Sequence, residues 1–138
     1  MKAVIDTCVV VDFLQDRKPF SDAANAVFVA AASDSFDAYI TANSVSDIYY
    51  LLSRSLHDDR KCHKVISDLF ELVGILDATS LDCKKALLSK MTDYEDALLD
   101  EIAERSGMDF IITWNIKDFS GSQVRALDSE EFLALLND

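Results

Sequence analysis

Residues 93–119, DYEDALLDEIAERSGMDFIITWNIKDF, constrain the fold more than any other stretch. Acids open the segment at Asp93, Glu95 and Asp96, where a helix dipole favours them. Leu98, Leu99, Ile102 and Ala103 then recur at helical spacing, which gives one buried face. Gly107 supplies a stop. Phe110-Ile111-Ile112-Thr113 is a continuous apolar run, the pattern of a strand covered on both faces. Asn115 and Asp118 follow its carboxyl end. The chain's opening has the same form: an apolar strand from Lys2 to Ile5 stops at Asp6, and a helical segment from Val9 to Leu14 follows. Ligands bind beyond the carboxyl ends of strands in open α/β sheets. If these two strands are neighbours, Asp6, Asn115 and Asp118 converge.

The rest of the chain repeats the alternation. Further short strands are expected at 38–41, at 75–76 and, as an edge strand, at 124–127. Helices are expected over about 22–32 (capped by Ser21), 43–55, 60–73 and 79–90, with a last helix after Asp128-Ser129-Glu130-Glu131. Residues 1–138 should form a single three-layer α/β/α domain with a small central parallel sheet of four to five strands. The alanine-rich helix at 22–32 could serve either the core or an interface between copies of the chain.

The 138 residues carry a formal net charge of −12. Such a charge repels nucleic acid at long range and attracts cations and basic partners. No apolar run reaches the ~20 residues of a membrane span, and the N-terminus does not read as a signal peptide. The odd number of cysteines (Cys8, Cys62, Cys83) fits reduced thiols in a cytoplasmic protein. No glycine-rich phosphate loop or G-x-S-x-G elbow is present. His57 and His63 read as surface residues, and Cys62-His63 is poor zinc geometry.

Oxygen ligands remain. Carboxylates suit Mg²⁺ or Mn²⁺, and a carboxylate cluster is costly until a cation neutralises it. The candidates are Asp6, Asp96, Asp118 with Asn115, and Asp47, which sits in an otherwise apolar helix. Taken singly, each could be a helix-start acid or a solvated one. Asp12 reads as surface or as support behind the first row.

These residues carry a resemblance. V-I-D-T-C-V-V-V-D around Asp6, I-T-A-N-S-V-S-D-I-Y-Y-L-L around Asp47, D-Y-E-D-A-L-L around Asp96 and F-I-I-T-W-N-I-K-D-F around Thr113 resemble the four motifs of PIN domains in order. The chain departs from the family pattern at three positions. Cys8 stands for the usual Asn, Asp47 for the usual Glu, and Asn115 for the usual fourth acid, with Asp118 three residues on as a substitute. The resemblance implies a divalent-metal-dependent ribonuclease, as in the toxins of VapBC-type toxin–antitoxin pairs, with RNA as substrate and an antitoxin and a homodimer as associations. It implies Asp6, Asp47 and Asp96 as catalytic metal ligands, completed by Asp118 or Asn115. The departures leave a second reading open: a catalytically impaired scaffold that binds protein or RNA. A haloacid-dehalogenase site would need a second Asp at position 8, and a receiver domain would need an acidic pair beside Asp6.

Overall fold

The computed structural model describes residues 1–138. Five short strands form one parallel sheet: β1 (Lys2–Ile5), β2 (Asp37–Thr41), β3 (Gly74–Leu76), β4 (Phe110–Ile112) and β5 (Arg125–Leu127). Their spatial order is β3-β2-β1-β4-β5. The chain therefore runs outward from β1 in one direction, then returns to β1's other side. That reversal falls between β1 and β4, which pair through Ala3 with Phe110, Val4 with Ile111 and Ile5 with Ile112. The neighbour relation on which the sequence argument depended is present.

Seven helices cover the sheet: α1 (Thr7–Gln15), α2 (Ser21–Ala32), α3 (Ala42–Leu56), α4 (Asp59–Leu72), α5 (Ser80–Leu87), α6 (Tyr94–Arg105) and α7 (Ser129–Leu136). The strand pleat divides the core in two. Ala3, Ile5, Ala38, Ile40 and Ile112 face one cluster, with Val9 and Val10 of α1, Phe28 of α2, Ile48 and Leu52 of α3, Leu69 of α4 and Phe132 of α7. Val4 and Ile111 face the other, with Ala86 of α5 and Leu98, Leu99, Ile102 and Ala103 of α6. Successive strand residues point to opposite faces. This is why β1 and β4 read as unbroken apolar runs: both faces are covered.

Local chemistry explains most boundaries. Thr79 and Asp82 form a capping box at α5, and Asp128 and Glu131 form one at α7. Asp58 accepts from the Arg60 and Lys61 amides to open α4. Gly107 takes φ +73° two residues after α6. Two expectations need correcting. Ser21 is the first residue of α2 and does not cap it; Phe20 stands at the cap without a side-chain hydrogen bond. α5 stops at Leu87, short of Lys90. Ala24, Val27, Phe28 and Ala31 of α2 lie in the core, which answers half of the question about that helix. None of the three cysteines is disulfide-bonded. No helix is long and apolar enough to cross a membrane.

Candidate functional site

The site is a cleft at the carboxyl edge of β1 and β4. It consists of two adjoining hollows of about 360 and 350 Å³. Asp6, Thr7, Leu51, Glu95 and Asp96 border both. Asp47, Asn43 and Tyr50 of α3 extend one side, and Asp93, Asn115 and Asp118 extend the other. All five residues expected from sequence to serve the site therefore lie on its walls.

Asp6 is fixed most firmly. Its amide still donates to Ile112 O at 2.9 Å, the last rung of the β1–β4 ladder. Its side chain then caps α1, Oδ1 accepting from the Thr7 amide at 2.8 Å. Oδ2 accepts from Thr113 Oγ1 at 2.9 Å. Thr113 is fully buried, and its hydroxyl also accepts from the Asn115 amide at 3.1 Å. One threonine thus joins the acid after β1 to the loop after β4. Cys8 Sγ lies 3.8 Å from Asp6 Oδ2 and 3.7 Å from Thr113 Oγ1. Burial pushes the Cys8 thiol up to about 12, with the Asp6 charge adding to the effect, so the group is a neutral thiol at physiological pH.

Asp96 is half-buried in the first turn of α6, its amide donating to the Asp93 carboxylate at 3.0 Å. Asp93 is accordingly the cap of that helix. Burial raises the Asp96 carboxyl to about 7, and the charges of Asp6, Asp93, Asp118 and Glu95 add to the shift. Asp6 is raised as well, chiefly by burial, against the hydrogen bonds from Thr113 and Thr7. At Asp6 and Asp96 alike burial is the leading cause, and neighbouring negative charge adds to it.

Asp47 and Asp118 are exposed, and Asn115 is half-buried. Asp118 sits on a single 3₁₀ turn, Ile116–Phe119. Asp47 lies on an exposed face of α3, so its placement in an apolar-looking helix carries no burial cost. The donors are oxygens throughout, the chemistry that Mg²⁺ and Mn²⁺ favour, and the crowding is what a cation relieves. No three carboxylate, histidine or cysteine groups are drawn together around one point. The residues therefore fit a divalent cation by donor type and by charge. Only the Asp6 carboxylate is held by hydrogen bonds; the carboxylates of Asp96, Asp47 and Asp118 accept none.

Of the two readings of Asp12, the surface one is wrong. Asp12 is not at the surface: it is 2 % exposed and accepts from Trp114 Nε1 at 2.9 Å. Burial raises its carboxyl, while that hydrogen bond and the Arg17 charge oppose the shift. It ties α1 to the loop after Thr113. The one-face spacing of Val9, Val10 and Phe13 around it was the signal available. Arg17, on the loop after α1, also borders the cleft, and nothing in its local sequence signals this.

The sequence profile of PIN domains matches residues 2–117. Comparison with curated proteins finds no match. Among solved structures, a DNA-bound VapBC from Salmonella typhimurium superposes with a TM-score of 0.70 at 17% identity, covering 94% of this chain and 98% of that one. VapBC2 from Rickettsia felis, bound to a fragment of promoter DNA, gives 0.68 at 14% identity, covering 93% of this chain and 98% of that one. Mycobacterium tuberculosis VapC20, described as a sarcin–ricin loop-cleaving toxin, gives 0.67 at 14% identity, covering 89% of this chain and 98% of that one. At these identities the likeness is one of fold.

Proposed function

The chain belongs to the PIN domain family, and from that premise we propose that it is a divalent-metal-dependent ribonuclease whose site is the acidic cleft at the β1–β4 edge. The observation that carries the reading is the Asp96 carboxyl, held at about 7 by burial and by four neighbouring acids. A protein gains nothing in stability from such crowding, whereas a cation site needs it.

Asp6 and Asp96 hold the cation, with Asp47 and either Asp118 or Asn115 completing the set. When bound, Mg²⁺ or Mn²⁺ supplies charge neutralisation and Lewis acidity at a phosphodiester. Thr113 keeps Asp6 aimed into the cleft by occupying its Oδ2, and the Thr7 amide holds Oδ1. Asn115 is held at the rim by the same threonine. Asp96 must be ionised to act as a ligand, so the site loads more readily above pH 7.

The VapBC-like fold supports a toxin role, with an antitoxin as the silencing partner. A net charge of −12 suits a basic segment on that partner. A cytoplasmic location follows from the same role. One observation favours a second reading, that of a non-cutting scaffold: the acids do not yet close around a single point. Cleavage of a mixed RNA pool, with Mn²⁺ or Mg²⁺ against EDTA, decides between them. Metal-dependent cutting that Asp6→Asn abolishes is expected. Antitoxin-free protein that never cuts would leave the scaffold.

A further inference from the structure

The acidic cleft has one cation on its walls. Among the residues bordering the two hollows, only Arg17 is basic. It faces the hollow shared by Asp6, Asp93, Glu95, Asp96 and Asp118, yet it forms an ion pair with none of them. Its direction is set from elsewhere. Arg17 Nε donates to Gln15 Oε1 at 3.1 Å. Gln15 Nε2 donates to Leu51 O at 3.1 Å. Leu51 lies on α3 and borders both hollows. The backbone is pinned too: the Arg17 amide donates to Asp12 O at 3.1 Å, and Arg17 O accepts from the Ser21 amide at 2.7 Å. A short relay from α3 through Gln15 thus fixes the guanidinium on its Nε side, while its two terminal nitrogens have no protein partner.

An RNA strand entering this cleft must bring phosphates against at least five carboxylates. Even with a cation bound, a strand longer than the scissile linkage carries phosphates beyond the metal. A positioned guanidinium with two free amino groups matches the paired oxygens of a phosphodiester. We propose that Arg17 binds a backbone phosphate of the RNA strand next to the cleavage position, and that Gln15 is its positioning residue. This rests on the ribonuclease reading of the same cleft. Arg17 also faces Asp12, whose charge it favours, but Asp12 already has the Trp114 hydrogen bond.

The test is binding, so it stands apart from cleavage. A fluorescein-labelled single-stranded 2′-O-methyl oligoribonucleotide is titrated with full-length protein in constant Mg²⁺, and its length is checked on a gel after the titration, because metal-assisted hydrolysis does not need the 2′-hydroxyl. Anisotropy is read from 50 to 200 mM salt. Arg17 is exposed, so its substitution leaves the core untouched. Arg17→Ala is expected to weaken binding roughly tenfold or more, the scale of a charge-assisted hydrogen bond. The slope of log affinity against log salt should fall by about 0.7, one phosphate's share for a single strand. Arg17→Lys should restore the slope but only part of the affinity. Gln15→Leu should weaken binding in the parent and do nothing further in the Arg17→Ala background. Equal affinity and slope for parent and Arg17→Ala, or no binding by the parent at all, overturns the proposal. Additive losses at Gln15 and Arg17 overturn the positioning role. An unmodified strand is assayed in parallel. Slope-dependent binding without cutting would remove the nuclease reading and leave the phosphate site standing.

Discussion

Replacing Asp96 by Asn should stabilise the metal-free protein at pH 8. The Asp96 carboxyl is held at about 7 against an ordinary 3.8, first by burial and then by Asp6, Asp93, Asp118 and Glu95. Taken at face value, that gap corresponds to about 4 kcal/mol between the charged and neutral forms. Asp96 is only half-buried, and water screens its neighbours, so about 1–2 kcal/mol is the reasonable share. The lost attraction of an ionised acid for the first turn of α6 offsets roughly 0.3–1 kcal/mol of it. The sign follows from proton counting. The folded carboxyl binds its proton more tightly than the unfolded one, so wild-type stability falls as pH rises from about 4 to about 7 and is level above. The Asp96→Asn advantage should therefore be absent near pH 4 and full by pH 8. There it is worth roughly 1–5 °C in Tm for a chain of this size. Thermal unfolding in EDTA at pH 5, 6, 7 and 8 reads it directly. Adding Mg²⁺ should raise the wild-type Tm more than that of Asp96→Asn, because the variant binds the cation more weakly. An Asp96→Asn protein less stable than wild type at pH 8, or one with the same advantage at every pH, would refute the reasoning.

Other expectations follow from single contacts. Thr113→Val keeps the buried volume but leaves Asp6 Oδ2 and the Asn115 amide without their shared hydroxyl. It should cost about 1–3 kcal/mol in urea unfolding and lower RNA cleavage as Asp6 loosens. Asp100 is buried and accepts from the Gln123 and Val124 amides at 3.0 Å. Asp100→Ala strands both donors just before β5, so a loss of about 2–4 kcal/mol is expected, again by urea unfolding. Asp118→Ala should weaken Mn²⁺ binding, measured by calorimetry, more than Asn115→Ala does, because the Asp118 charge acts on Asp96. The reverse order would assign the fourth position to Asn115.

The parts of the fold read correctly from sequence are those set by local pattern. The runs at 2–5 and 110–113 declared themselves as doubly covered strands because the sheet has helices on both sides. Thr79 and Asp128 gave helix starts because capping is a contact between near neighbours. Ser21 misled for a tertiary reason. It has a capping residue's chemistry, but packing draws it into the core as the first residue of α2. The choice between the two readings of Asp12 was hidden for the same reason, since nothing local reveals that Trp114, 102 positions away, supplies its donor. The site divides in the same way. That Asp6 and Asp96 border one cleft was legible because Asp6 follows the end of a strand and Asp96 opens a helix. The roles of Thr113 as a bridge and Arg17 as the cleft's one cation depend on contacts between distant segments, which no spacing rule encodes. That Asp47 is exposed while Asp6 is held by three donors likewise follows from packing rather than residue type.

The central claim is that these convergent carboxylates form a divalent-cation site. The most direct measurement is Mn²⁺ binding to metal-free protein at pH 8, followed by electron paramagnetic resonance, for the wild type, Asp6→Asn and Asp96→Asn. Saturable binding by the wild type, weakened at least tenfold in each variant, is the predicted result. Wild-type and variant proteins that bind Mn²⁺ alike would contradict it.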